Sequence, residues 1–464
     1  MNSTAASLRQ AEDASLKARR EQALQLFKLG VVAADPAHAV KRALRVRDSR
    51  LEILNDPASP EQGARSENWR KVHVAAFGKA ACSMARAALD IVPPALIAGE
   101  GIALTHYDNA TAVPGMRVLG AGHPLPDESG HRGTHAIMEY AAQAQQNELF
   151  LVLVSGGGSA LTPCPPEGIA LNDKVAATQL LLDCGADIMQ INTVRKHLSQ
   201  FKGGGLARLV YPGSLHALIL SDVIGDDLST IASGPTVPDP TTFAEAIAVF
   251  ESRNVWAQVP APIRQHLVRG ESGEIAETPK PGDEVFARAG HTLVASNSVS
   301  LNALSDAAAE AGRTVRLFSS ALCGEARTEA VRVAAVLEQA LADDTDRPLA
   351  IIAGGETTVT IKGNGRGGRN QELALSFALE AQRLGLPDRW VFLSGGTDGR
   401  DGPTDAAGGV VDAASPARMR AAQIDPDARL ADNDSYAALA ASGDLLMTGP
   451  TGTNVADLQI LLVN

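Results

Sequence analysis

The sequence predicts a globular α/β protein, and three observations support this fold class. The composition is 45% hydrophobic but only 4% aromatic, with 43 glycines, which suits alanine-rich helices packed on strands of Val, Ile and Leu. Apolar strand-like segments alternate with amphipathic helix-like segments, as in parallel βαβ units. Three apolar segments also run directly into glycine: LFLVLVSGGGSA from Leu149, LAIIAGGETT from Leu349 and WVFLSGGTDG from Trp390. Each is a candidate phosphate or carboxylate turn at a strand end.

The individual elements follow in chain order. Helices are predicted for REQALQLFKLGVVAA and HAVKRALRV, with a break between them at Asp35-Pro36. Strands are predicted for VHVAAF from Val72, then for IALTH, VLVS, HALILSD and TLVAS, with helices in the gaps. Because ligands of parallel α/β sheets bind at the carboxyl ends of the strands, we expect the site at the residues that follow these segments.

The chain is long enough for more than one domain. At 464 residues it exceeds what one hydrophobic core usually serves, so we expect two or three domains. The polar, proline-containing segment RGESGEIAETPKPGDE from Arg269 is the best candidate for a boundary, which we place near residue 285. The predicted organisation is a loose segment at residues 1–21, an N-terminal domain at 22–285 and a C-terminal domain at 286–464.

Charge and cysteine content narrow the class of protein. The net charge is −12 and no lysine/arginine tract is present, so the sequence argues against nucleic-acid and anionic-membrane partners. The four cysteines are widely spaced without a CxxC pair, which argues against a disulfide framework and a cysteine-based zinc site. No secretory h-region or membrane-spanning apolar stretch is found. We therefore expect a soluble cytoplasmic protein, with a homodimer left open.

Two segments supply cationic candidates. FGKAACSMA places Lys79 beside Gly78 at the start of a helix, where a bound anion would suit it better than the helix dipole does. The alternative is an ordinary surface lysine. INTVRKHLSQFKGGGLARL is predicted as one helix with Arg195, Ser199 and Lys202 at i, i+4 and i+7, hence on one face. A solvated basic face is the alternative there.

Acidic and amide side chains follow two other predicted strands. Asp222 comes directly after HALILS, and its carboxylate is suited to Mg²⁺ or to positioning a nucleotide. Asp226 and Asp227 either join it or cap the next helix. Asn297, which follows TLVAS, is a candidate ligand for a small polar substrate.

The segment IKGNGRGGRNQELAL contains a literal GxGxxG from Gly363 to Gly368. A dinucleotide site is not supported, because the acid that should end the following strand is absent and Asp388 precedes that strand instead. Arg366 and Arg369 are more informative, since arginine at a glycine-rich helix start suits carboxylate or phosphate recognition.

The acidic loop GGTDGRDGPTDAAG carries Asp398, Asp401 and Asp405. Such a loop binds a cation, positions a hydroxyl or only forms successive turns, and the sequence leaves all three open. A metal triad of His123, His131 and His135 is disfavoured, because no cysteine is near in sequence and one histidine precedes a proline turn. Walker A, GxSxG and HRD/DFG motifs are absent from the sequence.

Taken in order, these motifs resemble the class II glycerate kinases, whose members have also been labelled hydroxypyruvate reductases. The segments that carry the resemblance are FGKAACSMA, GHPLPDESG, LVSGGGSAL, NTVRKHLSQFKGGGLA, LSDVIGDDLSTIASGPTVPD, GGRNQELAL and SGGTDGRDGPTDAAGG. They extend from about residue 25 to the C-terminus. The resemblance implies a Rossmann-like three-layer α/β/α N-terminal domain and a second α/β domain of the MOFRL type.

The resemblance also implies a reaction: ATP-dependent phosphorylation of D-glycerate to 2-phosphoglycerate with a divalent cation. By the same likeness Lys79 and Arg369 correspond to the cationic pair of the family in phosphoryl transfer. Such a transfer needs alignment and charge neutralisation more than covalent help, so lysine, arginine, Mg²⁺ and backbone N–H groups are suitable.

The resulting hypothesis assigns a role to each site residue, in one cleft between the two domains. The turn Ser155, Gly156, Gly157, Gly158 and Ser159 cradles the ATP phosphates, together with Lys202. Asp222 orients the metal or the nucleotide, Arg195 or Asn297 holds the glycerate, and Asp398 is the candidate base. The rival hypotheses are an NAD(P)H-dependent hydroxypyruvate reductase and a non-catalytic protein that binds a sugar acid or a nucleotide.

Overall fold

The computed structural model describes residues 2–342 and 347–464, with side chains from residue 14 onward. The chain forms two compact units. The central unit comprises Pro36–Val294, and the terminal unit comprises Met1–Asp35 together with Ala295–Asn464. Each unit combines a β-sheet with packed helices, so the predicted α/β class is confirmed.

The terminal unit begins with helix α1 (Asn2–Ala33). Helices of the central unit are α2 (Pro36–Ala43), α3 (Ala81–Leu89), α4 (Glu128–Ala141), α5 (Gly158–Leu161), α6 (Leu171–Asp183), α7 (Ile188–His197), α8 (Gly205–Val210), α9 (Phe243–Ser252) and α10 (Ala261–Glu271). Its strands are β1 (Leu44–Arg47), β2 (Arg50–Leu54), β3 (Ala64–Arg65), β4 (Lys71–Phe77), β5 (Gly101–His106), β6 (Met116–Ala121), β7 (Glu148–Val154), β8 (Ser214–Leu220) and β9 (Ala289–Ala295).

The remaining elements belong to the terminal unit. Its other helices are α11 (Asn297–Glu310), α12 (Ala326–Ala342), α13 (Arg369–Arg383), α14 (Ser415–Ala421), α15 (Pro426–Ala431) and α16 (Ser435–Ser442). Its strands are β10 (Thr314–Glu325), β11 (Leu349–Thr358), β12 (Trp390–Gly396), β13 (Gly408–Asp412), β14 (Leu445–Leu446) and β15 (Asp457–Val463).

The main sheet of the central unit has the strand order β6-β5-β4-β7-β8-β9. The pairs β5/β6, β4/β5, β4/β7 and β7/β8 are all parallel, as predicted. The chain builds outward from β4 in one direction through β5 and β6, and in the other through β7, β8 and β9. The strand order therefore reverses between β4 and β7, and such a switch point is where open α/β sheets bind ligands at their carboxyl ends.

Both faces of this sheet are covered. Phe77, Val152 and Val154 lie on one face, in a buried cluster that includes residues of α4 and α8. Helix α3 contacts β4, β5 and β7 but contributes nothing to that cluster, so it covers the opposite face. This is the three-layer arrangement that the resemblance implies. A separate apolar cluster joins α6, α7, α9 and α10.

The sheet of the terminal unit is mixed. Its order is β10-β11-β15-β12-β13-β14, and only the pair β10/β11 is parallel among the pairs that the structure describes. The last strand, β15, lies antiparallel between β11 and β12. Helices α12 and α13 pack on one face of the sheet, and α1 and α11 pack on the other. The parallel βαβ pattern predicted from VHVAAF to TLVAS describes the central unit, and the sheet of the terminal unit differs from it.

Two of the three glycine segments are strand residues, which corrects the prediction that each is a turn. In AGGETT, Gly354 and Gly355 belong to β11 and pair with Leu458 and Asp457 of β15. In WVFLSGG the glycines still belong to β12, and the turn begins only at Thr397. The reason is that a strand paired on both sides uses its backbone N–H groups in the ladder. Only SGGGSA leaves its strand at the glycines.

Helix α1 explains why the structural division differs from the predicted boundaries. Residues 2–21, predicted as loose, belong to this helix, while Met1 lies outside the described residues. Ala23, Leu26 and Phe27 are buried in one cluster with Leu304 and Leu458. Burial of these side chains assigns the N-terminal helix to the terminal unit, and the second division falls at Val294/Ala295 rather than near residue 285.

Two simpler expectations can be compared directly. All four cysteines are free, in agreement with the absence of a disulfide framework. No helix among the described residues is both long and apolar enough to cross a membrane.

Candidate active site

Two turns meet at the switch point of the central sheet. Gly78, after β4, has φ +115°, and a Cβ there would lie 2.3 Å from Ser155 Oγ and 2.4 Å from Ser155 O. The N–H of Ala80 donates to Ser155 Oγ (3.0 Å), and the N–H of Lys79 donates to Gly156 O (2.9 Å). Glycine is therefore required at position 78 both by φ and by the close approach of the second turn.

The side chain of Lys79 lies beside the glycine turn after β7. It is exposed, and its Cε lies 3.3 Å from the position that a Cβ on Gly157 would occupy. Helix α3 begins two residues later, at Ala81. No ion pair ties the ammonium group to another side chain in the described part of the protein. The cation is thus held near the turn and remains available to an anion.

The turn Ser155–Ser159 has the features of an anion cradle. Gly157 has φ +79°, which favours glycine, and Gly158 begins the short helix α5. Within the described residues, the N–H groups of Gly156 and Gly157 donate to no protein acceptor. Ser159 Oγ is hydrogen-bonded to Ser233 Oγ at 2.9 Å. The turn therefore offers backbone donors toward Lys79.

Asp222 lies directly against this turn, at the end of β8. A Cβ on Gly156 would be 2.3 Å from Asp222 Oδ2, so the carboxylate occupies the space that a side chain would need. Burial raises the pKa of Asp222, while a backbone hydrogen bond and the nearby Lys79 lower it. The sequence-predicted residues Lys79, Gly156 and Asp222 are thus brought together in one place.

Gly156→Ala is expected to reduce kcat/KM by about 100-fold, because a misplacement of about 1 Å at a reacting site has an effect of that size. The added methyl must displace the Asp222 carboxylate or the turn itself. The measurement is steady-state kinetics with the purified variant. Glu167→Ala is the control, since it changes an exposed side chain in a loop of the same unit. Equal kinetics for the two variants would contradict the role of the Gly156 contact.

Of the acidic residues after Asp222, Asp227 caps the turn that follows it. Asp227 accepts from Ser229 N (2.9 Å), Ser229 Oγ (2.9 Å) and Thr230 Oγ1 (2.8 Å). These bonds lower its pKa against the effect of burial. Of the two readings left open by the sequence, the structure favours the local cap for Asp227.

The predicted basic face of Arg195, Ser199 and Lys202 does not form. Helix α7 ends at His197, so Ser199 and Lys202 lie beyond it. The physical reason is that the backbone leaves the helical hydrogen-bond pattern directly after α7. Gln200 N donates to Cys164 O, and Ser199 Oγ accepts from the N–H groups of Phe201 and Lys202.

Lys202 is buried, and its side chain is hydrogen-bonded to the turn Ser155–Ser159. Its side chain is 2% exposed, and Nζ donates to Ser159 O (2.8 Å) and Thr162 Oγ1 (3.3 Å). Burial and two neighbouring cations lower its pKa well below the ordinary value. The lysine therefore contacts the backbone of the predicted phosphate turn, rather than solvent.

His123 lies at the candidate site, whereas the sequence pattern suggested for it only a disfavoured role as a metal ligand. Its Nε2 lies 3.1 Å from the Cβ position of Gly157, on the same turn as Lys79. Burial, Lys79 and His106 together lower its pKa to about 4, so the ring is neutral at pH 7. Its position in GHPLPDESG, one of the segments that carry the family resemblance, could have identified it as a site residue.

The other two histidines of the disfavoured triad lie apart from His123. His131 and His135 are neighbours on α4, with their Nε2 atoms 3.0 Å apart. The thiol of Cys164 completes a group whose ligand atoms lie within 4.8 Å of one another. Sequence spacing could not bring Cys164 to the two histidines, because it lies on another segment.

In the terminal unit, Arg369 is held by two carboxylates. Nε and Nη2 donate to the two oxygens of Asp457 (2.6 and 2.9 Å), and Nη1 donates to Glu356 (2.8 Å). Asp457 is fully buried, whereas the Arg369 side chain is one-third exposed. Burial lowers the pKa of Arg369, but the hydrogen bonds to Asp457 and the charges of Asp457 and Glu356 raise it above its ordinary value. The arginine is permanently charged and oriented at the start of α13.

The acidic loop after β12 is organised largely by turns and caps. Asp401 accepts from Asn370 N (3.1 Å) and Gln371 N (2.8 Å) at the start of α13, and burial raises its pKa to about 6 against these bonds. Asp398, which is half-buried, accepts from Arg400 N (3.0 Å). Asp405 accepts from a tyrosine hydroxyl. The turn-forming alternative therefore accounts for much of this loop.

The GxGxxG segment is packed against another loop of the terminal unit. A Cβ on Gly363 or Gly365 would lie 2.3 Å from residues of the segment 432–434. Lys362 N and Gly363 N donate to the same atom, Asn433 Oδ1. These glycines serve close packing within the protein, which agrees with the rejection of a dinucleotide site.

Asn297, predicted as a substrate ligand, contacts the start of β15 through its amide nitrogen. It is 6% exposed, and Nδ2 donates to Val455 O (2.8 Å) and Asp457 O (2.9 Å). Its Oδ1 packs against Gly354, where a Cβ would lie 1.9 Å away. Both amide hydrogens are used in holding the residue that binds Arg369.

Two family models and several full-length relatives match this chain. Residues 22–268 match DUF4147, a domain of unknown function, and residues 349–457 match the MOFRL family. A glycerate 2-kinase from Pyrococcus horikoshii is 41% identical over 447 residues, covering 96% of this chain and 97% of that protein. A D-glycerate 2-kinase from Thermotoga maritima is 38% identical over 432 residues, covering 92% of this chain and 99% of that protein.

A solved structure and a relative that bears a different name are also similar to this chain. The crystal structure of a glycerate kinase from Thermotoga maritima has a TM-score of 0.84 at 37% identity and covers 97% of this chain and 100% of that one. A protein from Agrobacterium vitis that carries the name hydroxypyruvate reductase is 41% identical over 450 residues, covering 96% of this chain and 94% of that protein.

Proposed function

The chain belongs to the class II glycerate kinase family, and on that premise we propose that it is a glycerate 2-kinase that transfers the γ-phosphoryl group of ATP to D-glycerate. The observation that supports this most directly is the switch point of the central sheet. There a lysine and a glycine turn lie together with a carboxylate, and the ammonium group and the N–H groups of Gly156 and Gly157 have no partner among the described residues. Phosphoryl transfer depends on such positioning and charge neutralisation.

In this proposal the turn Ser155–Ser159 binds phosphate oxygens through backbone N–H groups, and Lys79 neutralises the charge that develops on the transferring group. Lys202 fixes the turn through Ser159 O. The neutral His123 adds no further positive charge beside Lys79 at pH 7, and its ring lies against Gly157.

The residues at the turn suit a divalent cation. Mg²⁺ is commonly held by one or two carboxylates together with substrate phosphates and water, and Asp222 supplies a carboxylate against Gly156. Asp222 would hold the cation, which when bound supplies charge neutralisation to the phosphates. Asp227 is engaged in its own cap, so Asp222 is the principal candidate.

In the terminal unit, Arg369 is the residue that the resemblance pairs with Lys79, and Asp457 and Glu356 set its orientation. A guanidinium in fixed geometry is suited to phosphate oxygens. Asp398 remains the proposed base for the attacking hydroxyl, with a carboxylate that is half-buried and bonded to Arg400 N.

The reductase hypothesis has less support. A relative bears that name, but the GxGxxG glycines that would bind a dinucleotide pack against the loop at 432–434. The non-catalytic hypothesis leaves the unpaired Lys79 without a charge to neutralise.

The proposed function is tested by identifying the product. With ATP, Mg²⁺ and D-glycerate, we expect ADP and 2-phosphoglycerate by phosphorus and proton NMR, and EDTA should abolish turnover. In a parallel assay, hydroxypyruvate and NADH should show no enzyme-dependent loss of NADH absorbance. NADH oxidation without ADP formation would replace the kinase by the reductase. Formation of 3-phosphoglycerate would overturn the assigned position of transfer, and full activity in EDTA would remove the cation.

A further inference from the structure

A group of buried cations lies behind the glycine turn of the central unit. Lys174, on α6, is 5% exposed, and Lys202 is 2% exposed. Arg195, near the end of α7, is half-buried. The charges are close enough for Arg195 to lower the pKa of both lysines. We call these three residues the buried cation cluster.

No carboxylate among the described residues forms an ion pair with any member of the cluster. The charged groups that act on Lys174 are Arg195 and Cys164, and those that act on Lys202 are Lys174, Arg195 and Cys164. Burial raises the pKa of the Cys164 thiol, so it is neutral at pH 7 and does not balance the lysines. Burial and Arg195 lower the pKa of Lys174 to about 7, and a bound anion would favour its charged form.

Several donors of this region are also unused. Lys174 Nζ is buried and has no hydrogen-bond partner in the part of the chain that the structure describes, and the same is true of Asn192 Nδ2, on α7. The Arg195 guanidinium makes no hydrogen bond or ion pair with the residues that the structure describes. Unsatisfied buried donors of this kind require an explanation, and donors alone call for an acceptor.

The donors are connected to the proposed phosphate turn. Asn192 Oδ1 accepts from Ser233 Oγ (2.9 Å), and Ser233 Oγ is bonded to Ser159 Oγ (2.9 Å), the last residue of the turn. From the other side, Lys202 Nζ donates to Ser159 O (2.8 Å). An anion held by these donors would therefore lie beside the turn, within the same unit.

We propose that Lys174, Asn192 and Arg195 form a binding pocket for the carboxylate of the hydroxy-acid substrate, next to the turn that binds the phosphates. This inference rests on the proposed function and adds to it two residues, Lys174 and Asn192. A carboxylate fits the donor set because it is a planar acceptor of one charge, which a guanidinium binds in bidentate fashion and an ammonium and an amide can complete.

The test compares full-length wild type, Lys174→Met and Lys71→Met, which removes an exposed lysine from β4 of the same unit. For Lys174→Met, KM for D-glycerate should rise about 100-fold, as expected for truncating one partner of a buried charge pair. KM for ATP should change less than about twofold, because the pocket does not bind the nucleotide. Lys71→Met should match wild type.

A second readout does not depend on turnover. Without ligand, Lys174→Met should raise Tm by about 2–4 °C, because it replaces a buried amine that has no hydrogen-bond partner among the described residues with an apolar side chain of similar length. D-glycerate should raise the Tm of wild type, glycerol should not, and neither should shift Lys174→Met. A merely structural lysine would instead give a lower Tm on substitution with KM unchanged.

The remaining outcomes of these measurements also support or overturn the carboxylate proposal. An increase in KM for ATP alone would assign the pocket to a nucleotide phosphate and overturn the carboxylate proposal. Should Lys174→Met fold poorly, Asn192→Asp supplies a carboxylate within the protein. It should raise Tm and abolish the glycerate-induced shift, and a normal shift would overturn the proposal. Loss of kinase activity in wild type would refute the proposed function, whereas the Tm shift with D-glycerate would still judge the pocket.

Discussion

Lys79→Ala is expected to lower kcat by about 10³-fold with ATP and D-glycerate, the effect of removing one preorganised charge from a transition state. The ammonium lies beside the turn Ser155–Ser159 and has no ion-pair partner among the described residues. Its charge is therefore available to the transferring group. Because the side chain is exposed, the free energy of unfolding should change by only about 0.5 kcal/mol.

The measurements for Lys79→Ala are steady-state kinetics and thermal unfolding. Lys71→Ala is the control, since it removes an exposed lysine from the opposite end of the same strand. Lys79→Arg should recover part of the rate, because it keeps the charge but changes its geometry. Near-normal turnover of Lys79→Ala would remove this residue from the mechanism.

Arg369→Ala is expected to lower both stability and turnover. Asp457 is fully buried and loses a bidentate partner, and breaking a buried pair costs about 3 kcal/mol at the lower end of the usual range, where a partly exposed arginine belongs. We also expect kcat to fall about 10³-fold if the guanidinium stabilises the transferring phosphoryl group. Thermal unfolding and kinetics at a temperature well below Tm measure the two effects separately.

A compensated variant separates the structural and catalytic roles of Arg369. Arg369→Ala with Asp457→Asn removes both charges, so the buried carboxylate no longer lacks a partner and Tm should largely recover. If Arg369 acts on the phosphoryl group, kcat stays low in this double variant. Recovery of kcat together with Tm would show that the arginine is a structural residue. Arg400→Ala, an exposed arginine of the same unit, is the control.

The local features of the site were predictable because glycine and charge patterns act over a few residues. The strands β4, β7 and β8 and the residues that follow them were identified from apolar runs that end in glycine or aspartate. Lys79, Gly156 and Asp222 were placed at such ends, and the structure brings them together. Parallel strands share an edge, so residues at their ends become neighbours whatever their separation along the chain.

The errors have a different origin. The helix assigned through Lys202 ends at His197, and soon after it Gln200 N donates to Cys164 O, on a segment that precedes α6. The glycines at 354 and 355 continue a strand because β15, a distant segment, pairs with them. In each case the deciding hydrogen bond joins residues that no local pattern relates.

The sequence by itself determined the α/β class, the family and the glycine turn with Lys79 and Asp222, since these depend on periodicity, on short motifs and on the geometry of strand ends. Only the tertiary structure decided that α1 packs in the terminal unit, that Arg369 is fixed by Asp457 and Glu356, and that Lys174 is buried with no hydrogen-bond partner for Nζ among the described residues. The physical reason is that burial and charge compensation belong to groups brought together from distant segments. Their free energy depends on what surrounds a side chain, and the spacing of residues along the chain does not specify those surroundings.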